Sequence, residues 1–144
     1  MKEGWLKDEY LILFDGSEAD AAADRYGIAS ELPGFSLVGL RGWDDFLVRD
    51  ENGRVFTVPT VPLDAGLLAP FQLPPADTWL EQDIQYAGKI KWYVQPLVFG
   101  GDPTIGDNLT WVSHELHAQL VRWWNRLYRY HRPNEQLSGF RPTS

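Results

Sequence analysis

Two histidines and a glutamate stand close together in the chain, and their types are those of a metal site. His114, Glu115 and His117 occur in the run His-Glu-Leu-His. Histidines three residues apart lie on one face of a helix and could hold an ion together. The zinc-protease motif needs a spacing of four, and His131 lies too far along the segment to be a third ligand. We therefore interpret the run as the polar first turn of a helix. A small metal-dependent hydrolase or ligand-binding enzyme using His114 and His117 is the alternative.

A glycine-rich segment, residues 100–108, is the second candidate, because such loops can bind phosphate through backbone N–H groups. Phosphate loops end in Lys-Ser or Lys-Thr and lead from a strand directly into a helix. This segment does neither, so we interpret it as a turn-rich connection. The chain has no cysteine, which excludes disulfides and thiolate metal sites. It also lacks the Gly-x-Ser-x-Gly motif of a serine nucleophile. We expect no cofactor, no metal and no enzymatic activity.

Acidic side chains are the third candidate group, because 20 Asp and Glu outnumber 13 Lys and Arg and give a net charge of −7. Such a surface repels nucleic acids and anionic membranes and attracts basic proteins. The alternative is that the charges only keep the protein in solution. Asp44 and Asp45 are adjacent, and neighbours on a strand point to opposite faces, so they are not expected to act as one acid–base pair. The candidate partner-binding residues are Asp44, Asp45, Asp50, Glu51, Asp64, Asp77, Glu81 and Asp83.

The apolar content bears on where the protein works. No apolar run in the sequence is long enough to span a bilayer, and the first ten residues do not resemble a signal peptide. The absence of cysteine suits a reducing compartment. We therefore expect a cytoplasmic protein with neither membrane nor nucleic acid as a partner.

The first half of the chain predicts one helix followed by strands. Ser17 suits a helix N-cap, and Gly27 suits the position just after the helix. Strands are expected over residues 35–40, 43–49 and 54–58. Asn52-Gly53 between the last two is typical of a β-hairpin. If that turn has two residues, Leu47, Phe56 and Val58 share one face of the hairpin, and Phe46, Val48 and Val55 share the other.

The second half predicts a connection, a strand and a long helix. Prolines between residues 59 and 75 indicate an ordered connection, with a short helix over residues 64–69. Residues 77–86 are a weaker helix candidate, and residues 89–99 read as a strand interrupted by Pro96. Ser113 suits the N-cap of the last helix, whose apolar residues are expected to pack on the sheet: Leu116, Leu120, Trp123 or Trp124, and Leu127. Adjacent tryptophans lie about 100° apart on a helix, so one of the pair is expected to reach the surface.

Together these elements predict one α+β domain over residues 1–132, with a polar tail over residues 133–144. The sheet is expected to be mainly antiparallel, with N-terminal and C-terminal helices packed against it. No internal repeat suggests a second domain.

Several motifs, taken in order, resemble the SUKH superfamily, which includes small bacterial proteins and the yeast cell-wall-assembly regulator. The resemblance covers roughly residues 19–130 and is carried by structural motifs. These are Tyr26-Gly27, Leu32-Pro33, Gly42-Trp43-Asp44-Asp45-Phe46, the hairpin Asn52–Pro59, Trp92-Tyr93, Phe99-Gly100-Gly101-Asp102-Pro103 and Leu120-Val121-Arg122-Trp123-Trp124-Asn125.

The resemblance implies an α+β fold and a binding role. Many bacterial members are thought to be immunity proteins that neutralise a secreted toxin, often a nuclease. An acidic protein of this kind would occlude a basic active surface, so a basic cognate toxin is the expected partner. A structural or regulatory subunit that docks through an exposed Trp is a further alternative, as is a homodimer.

Overall fold

The computed structural model describes residues 1–104 and 106–138, with side chains described up to residue 130. Six antiparallel strands form one sheet in sequence order, from β1 to β6. A second, two-stranded antiparallel sheet is formed by β7 and β8. The strands are β1 (Lys2–Leu6), β2 (Glu9–Leu13), β3 (Ser36–Arg41), β4 (Asp45–Arg49), β5 (Val55–Pro59), β6 (Ala69–Pro70), β7 (Ile90–Tyr93) and β8 (Leu109–Val112).

Three α-helices accompany the sheets in the described part of the chain: α1 (Gly16–Tyr26), α2 (Ile28–Glu31) and α3 (His114–Ser138). Helix α1 packs on β3, and α3 packs against α1 and β7. The predicted α+β class, with an antiparallel sheet and helices packed against it, is confirmed. No described helix is both long enough and apolar enough to cross a membrane.

The N-terminal hairpin was not fully predicted. Strand β2 carries the apolar run Tyr10–Leu13, but β1 carries Lys2 and Glu3 and so lacks a clear apolar pattern. On its other side, β1 is held by the segment before β7. The backbone of Trp5 in β1 exchanges hydrogen bonds with the backbone of Glu81 at 2.8 and 2.9 Å. Gly4 permits this close approach, because a Cβ there would lie 2.7 Å from the Glu81 carbonyl oxygen.

Helix α1 has the predicted end and an earlier start. Asp15, not Ser17, occupies the N-cap, and its backbone N–H donates to the Glu18 carboxylate at 3.3 Å. Gly27 has φ 71° and ends the helix in the left-handed conformation, as predicted.

The hairpin of β4 and β5 is confirmed, but the predicted faces are wrong. Arg49 pairs with Val55, so the loop spans residues 50–54 rather than two residues. Phe46 pairs with Val58 and Val48 with Phe56, which places these four side chains together on one face. The odd loop length shifts the pairing and so changes which side chains share a face.

Both faces of the six-stranded sheet are covered. On one face, Ile12, Phe46 and Val58 belong to a buried core shared with Val121 of α3. On the other face, Leu11 and Leu47 pack with Leu80 from the segment before β7. That segment, residues 77–86, is not a helix, so its prediction is wrong, and Trp79 within it is 79% exposed.

Two other predicted elements are shorter than expected. The short helix expected over residues 64–69 is a 3₁₀ turn at Ala65–Leu67. Strand β7 ends at Tyr93, and after Pro96 the chain forms a 3₁₀ turn at Leu97–Phe99. Pro96 lacks the N–H that would continue the ladder, which accounts for the early end of the strand.

Helix α3 begins as predicted, since the Ser113 hydroxyl oxygen accepts a hydrogen bond from the Leu116 N–H at 3.1 Å. The helix continues to Ser138, so residues 133–138 of the predicted tail are helical. Residues 139–144 lie outside the described part, and the boundary at residue 132 stays a prediction. Of the two adjacent tryptophans, Trp123 is exposed and Trp124 is half-buried, which confirms that one of the pair reaches the surface.

Candidate functional site

An open cleft of about 210 Å³ lies where the β3–β4 turn, the end of β5 and strand β7 meet. We call it the acidic cleft because two carboxylates face a lining that is otherwise mostly apolar. Its lining residues are Asp44, Asp45, Pro59, Thr60, Val61, Trp92, Tyr93, Pro96 and Leu97.

A left-handed turn positions the two carboxylates. Gly42 and Trp43 both have positive φ, 58° and 65°. A bulky residue in this conformation costs about 1–3 kcal/mol and persists only where its surroundings hold it. Trp43 is buried, and its ring stacks on Tyr10 at a centroid distance of 4.8 Å. The turn is fixed further by the Thr60 N–H, which donates to the Asp44 carbonyl at 2.9 Å.

Asp44 and Asp45 therefore border the same cleft, although neighbours along a strand point to opposite faces. Asp44 precedes the first residue of β4, so the alternation of a strand does not apply to it. The negative charge of Asp44 is also one of the factors that raise the pKa of Asp45. The premise that they point to opposite faces is therefore wrong, while the expectation that they do not act as one acid–base pair stays a prediction.

Lys91 neutralises one of the two acids. Its ammonium lies 2.8 Å from Asp44 Oδ2 and 3.3 Å from the Tyr93 hydroxyl. Burial alone would lower the pKa of Lys91, but the hydrogen bond and charge of Asp44 outweigh it and raise that pKa. Burial raises the pKa of Asp44 in spite of Lys91. Because the Asp44 side chain stays 47% exposed, we expect the pair to be ionised at neutral pH.

Asp45 is the less neutralised acid. Burial raises the pKa of its carboxyl group, and the charge of Arg41 opposes that shift. Arg41 is itself paired with Glu9 at 3.3 Å. No described side chain or backbone group donates a hydrogen bond to the Asp45 carboxylate. This carboxylate can therefore accept a hydrogen bond from an incoming cation.

The apolar wall of the cleft continues onto the surface. Trp92 is buried and Tyr93 is half-buried, and both line the cleft beside Pro96. Leu97 on the rim is 47% exposed, and the neighbouring Val98 is exposed as well. Apolar walls with a few polar groups are typical of binding clefts. A positively charged head on an apolar stem is the chemistry that this arrangement fits.

The other predicted acids do not join this cleft. Asp50 lies at the far end of β4, about 16 Å away at about 3.3 Å per residue. Its carboxylate accepts hydrogen bonds from the N–H groups of Asn52 and Arg54, both at 2.9 Å, and so closes the hairpin loop. Burial alone would raise the pKa of Asp50, but these hydrogen bonds hold that pKa below its usual value. Glu51 reaches over Gly34.

Two further acids have structural hydrogen-bond partners, and two are exposed. Asp64 accepts a hydrogen bond from the Gly66 N–H at 2.9 Å and begins the 3₁₀ turn. Asp83 accepts from the indole N–H of Trp5 at 3.2 Å. Asp77 and Glu81 lie exposed in the same segment as Asp83. Of the eight predicted residues, the structure thus brings Asp44 and Asp45 together in a cleft.

The two histidines in the first turn of α3, His114 and His117, pack into the domain. His117 is fully buried, and its Nδ1 shares a 2.6 Å hydrogen bond with the Tyr26 hydroxyl. Burial lowers the pKa of His117 to about 3. Nε2 of His117 and Nε2 of half-buried His114 have no hydrogen-bond partner in the described part of the chain. No three metal-ligating side chains come together among the described residues.

Sequence reasoning missed Lys91, Trp92, Tyr93 and Leu97. The alternation of Lys91 and Tyr93 along β7 was a usable signal, since residues two apart share one face of a strand. Their closeness to Asp44 was not predictable, because 47 residues separate Asp44 from Lys91.

No family model matches this chain, no curated protein matches it, and no solved structure matches it. The resemblance to the SUKH superfamily therefore stays a prediction.

Proposed function

We propose that this chain is a protein-binding domain that holds a basic partner protein at the acidic cleft. Toxin neutralisation is the specific form of this function that the SUKH resemblance implies. The protein would then cover the basic active surface of its cognate toxin, such as a nuclease. We propose the cytoplasm as the place of this encounter, because a cysteine-free chain suits a reducing compartment.

One observation carries the proposal: the Asp45 carboxylate borders an apolar-walled cleft without a hydrogen bond from any described residue. Lys and Arg side chains bury an apolar stem while their charge stays near polar groups. In the acidic cleft, Trp92 and Leu97 would contact the stem and Asp45 would accept the charged head.

Charge outside the cleft supports the same partner. The net charge of −7 attracts a basic protein over distance and raises the association rate. The Asp44–Lys91 pair limits repulsion between the two adjacent carboxylates, so Asp45 can stay charged beside Asp44. The remaining acids would contribute to the rate of encounter more than to contacts in the complex.

The proposal is tested by capturing the partner and by rescuing cells from it. The wild-type protein is used to isolate a binding protein from its native host, and each neighbouring toxin gene is co-expressed with it. We expect Asp45→Asn to weaken capture and rescue, while Asp20→Asn, an equal change of charge on exposed α1, retains both. Failure of the wild type to bind or rescue would contradict the proposal, as would unchanged binding by Asp45→Asn.

A further inference from the structure

A small pocket of about 100 Å³ lies between α2 and α3 and shares no lining residue with the acidic cleft. We call it the arginine pocket because three arginines line it: Arg122, Arg126 and Arg129. They follow steps of four and three along the chain, so they lie on one face of α3. Among the described residues of the lining, the one acid is Glu31 from α2. The lining therefore has a net charge of +2, in a chain whose net charge is −7.

Two of the three arginines have no acidic partner in the described part of the chain. Glu31 pairs with Arg129. Arg122 and Arg126 form no ion pair and no side-chain hydrogen bond with a described residue. Like charges one turn apart on a helix repel each other and lower its stability. The chain has 20 acidic residues with which to neutralise such a cluster, so the uncompensated charge at this pocket is a feature that an anionic ligand would explain.

The fold positions two of the guanidinium groups. Arg122 lies beside the backbone of Gly27, since a Cβ added to Gly27 would lie 3.6 Å from the Arg122 Nε. Gly27 has φ 71°, a conformation that favours glycine, and so keeps this approach open. Arg129 is held by the Glu31 carboxylate. A side chain that is already held in place loses less conformational freedom when it binds a ligand.

The neutral part of the lining supplies a donor and leaves few acceptors free. Asn125 already uses its side-chain oxygen and nitrogen in two buried hydrogen bonds. The Tyr26 hydroxyl shares its hydrogen bond with His117. The Ser30 hydroxyl is exposed, forms no hydrogen bond with a described residue and can donate one to a ligand. The arginine pocket thus offers positive charge and hydrogen-bond donors, which are the groups that bind an oxyanion.

We infer that the arginine pocket binds a phosphate group, either as the free ion or as the phosphate of a small monoester. Arginine suits phosphate because its planar guanidinium donates two parallel hydrogen bonds to neighbouring oxygens. A dianion matches the net charge of the lining better than a monoanion does. Sites for whole small molecules measure about 300–1,000 Å³, so this pocket takes the charged group and leaves any remainder outside. The net charge of −7 repels a polyanion such as nucleic acid. This inference does not depend on the proposed function of the acidic cleft.

Titration of the isotope-labelled chain with inorganic phosphate, followed by nuclear magnetic resonance at fixed pH and ionic strength, tests the site. We expect amide shifts at Gly27 and Ser30 that saturate in the millimolar range or below. Arg126→Gln should weaken binding about tenfold, because hydrogen bonds to a charged group are lost. Arg49→Gln is the matched control, because Arg49 is exposed on β4 and does not line the pocket. Shifts that never saturate would indicate charge screening only. That result, or unchanged binding by Arg126→Gln, overturns the inference.

A comparison of anions tests the class of ligand. The same titration is repeated with acetate, a monoanion, and with glycerol phosphate, a small monoester, at the same pH and ionic strength. We expect acetate to bind more weakly than inorganic phosphate. A monoester that binds no more tightly than inorganic phosphate assigns the site to the free ion, and tighter binding assigns it to the phosphate group of a larger molecule. Acetate that binds as tightly as phosphate overturns the assignment to phosphate.

Discussion

The Tyr26 hydroxyl lies 2.6 Å from Nδ1 of His117, in a buried hydrogen bond that joins α1 to α3. Burial lowers the pKa of His117 to about 3, so this histidine is neutral in the folded protein at neutral pH. His114 and His117 were the candidate metal ligands in the sequence. In the structure His117 is buried and hydrogen-bonded to Tyr26, and His114 is half-buried. The burial that lowers the pKa of His117 makes the stability of the fold sensitive to pH.

We predict that stability falls as the pH is lowered from about 6.5 towards 3, through His117. An unfolded histidine binds a proton near pH 6.5, whereas folded His117 binds one only near pH 3. Between these values the unfolded state binds more protons, so stability rises with pH by up to about 1.4 kcal/mol per unit for this group. Urea unfolding of the wild type and His117→Gln at several pH values measures the effect. The wild-type curve should be the steeper one, and parallel curves would contradict the assignment to His117.

We predict that replacing Asn125 with an apolar or an acidic side chain lowers the stability of the fold at neutral pH. It is buried, and its Oδ1 accepts from the Leu63 N–H while its Nδ2 donates to the Thr60 carbonyl, both at 2.7 Å. Each buried group left unpaired costs about 1–3 kcal/mol. Asn125→Leu should lose about 2–6 kcal/mol, since it leaves two such groups.

Asn125→Asp separates the two hydrogen bonds by pH. The ionised side chain can still accept from Leu63 but repels the Thr60 carbonyl, so the variant should be strongly destabilised at pH 7. Protonation restores a donor, so the gap to the wild type should narrow in acid. Chemical unfolding at both pH values measures this gap. An equal gap in neutral and acidic buffer would show that the Thr60 contact is unimportant.

Trp43 is predicted to be the residue that holds the turn of the acidic cleft. Its ring is buried and stacks on Tyr10, and it also contacts Trp111 edge-on at 5.1 Å. Trp43→Ala should lower stability by about 3–5 kcal/mol, the range for buried aromatic residues. Trp79→Ala, at an exposed position, should change stability by less than about 0.5 kcal/mol. Thermal or urea unfolding compares the two, and similar losses would contradict the role given to Trp43.

As the pH is lowered, binding of a basic partner is predicted to weaken at a higher pH than it would for a carboxylate with an ordinary pKa. Burial raises the pKa of Asp45 above its usual value of 3.8. Only the ionised form attracts a cation, so affinity should fall as the pH drops through this raised pKa. Calorimetric titration with an arginine-rich peptide from pH 7 to pH 4 measures the fall. For Asp45→Asn, binding should be weak and nearly independent of pH, and a profile like that of the wild type would disprove the assignment.

Local signals in the sequence predicted much of the fold. Gly27 ended α1 and Ser113 capped α3 because capping is set by residues within one turn. The faces of the β4–β5 hairpin were wrong because side-chain direction depends on a loop length that Asn52-Gly53 did not reveal. Strand β1 was missed because its pairing with β2 and Glu81 compensates for a weak pattern.

Of the residues that line the acidic cleft, only the two acids could be predicted from the sequence. Asp44 and Asp45 were named from charge alone, and the structure adds the reason they line one cleft, a turn held by Trp43 at positive φ. Lys91 and the walls of the acidic cleft come from β7, which is distant in sequence and close only after folding. In α3, Leu120 and Trp124 pack on the core as predicted, but Leu116 is exposed, because an apolar repeat does not fix which of its members face the domain.

The central claim, that Asp45 accepts a positively charged side chain in the acidic cleft, is tested most directly by nuclear magnetic resonance. Isotope-labelled protein is titrated with an arginine-rich peptide, alongside the Asp45→Asn and Asp20→Asn variants. We predict chemical-shift changes centred on Thr60, Trp92 and Tyr93 that persist in Asp20→Asn and disappear in Asp45→Asn. Shifts spread over the other acids, or unchanged by Asp45→Asn, would contradict the claim.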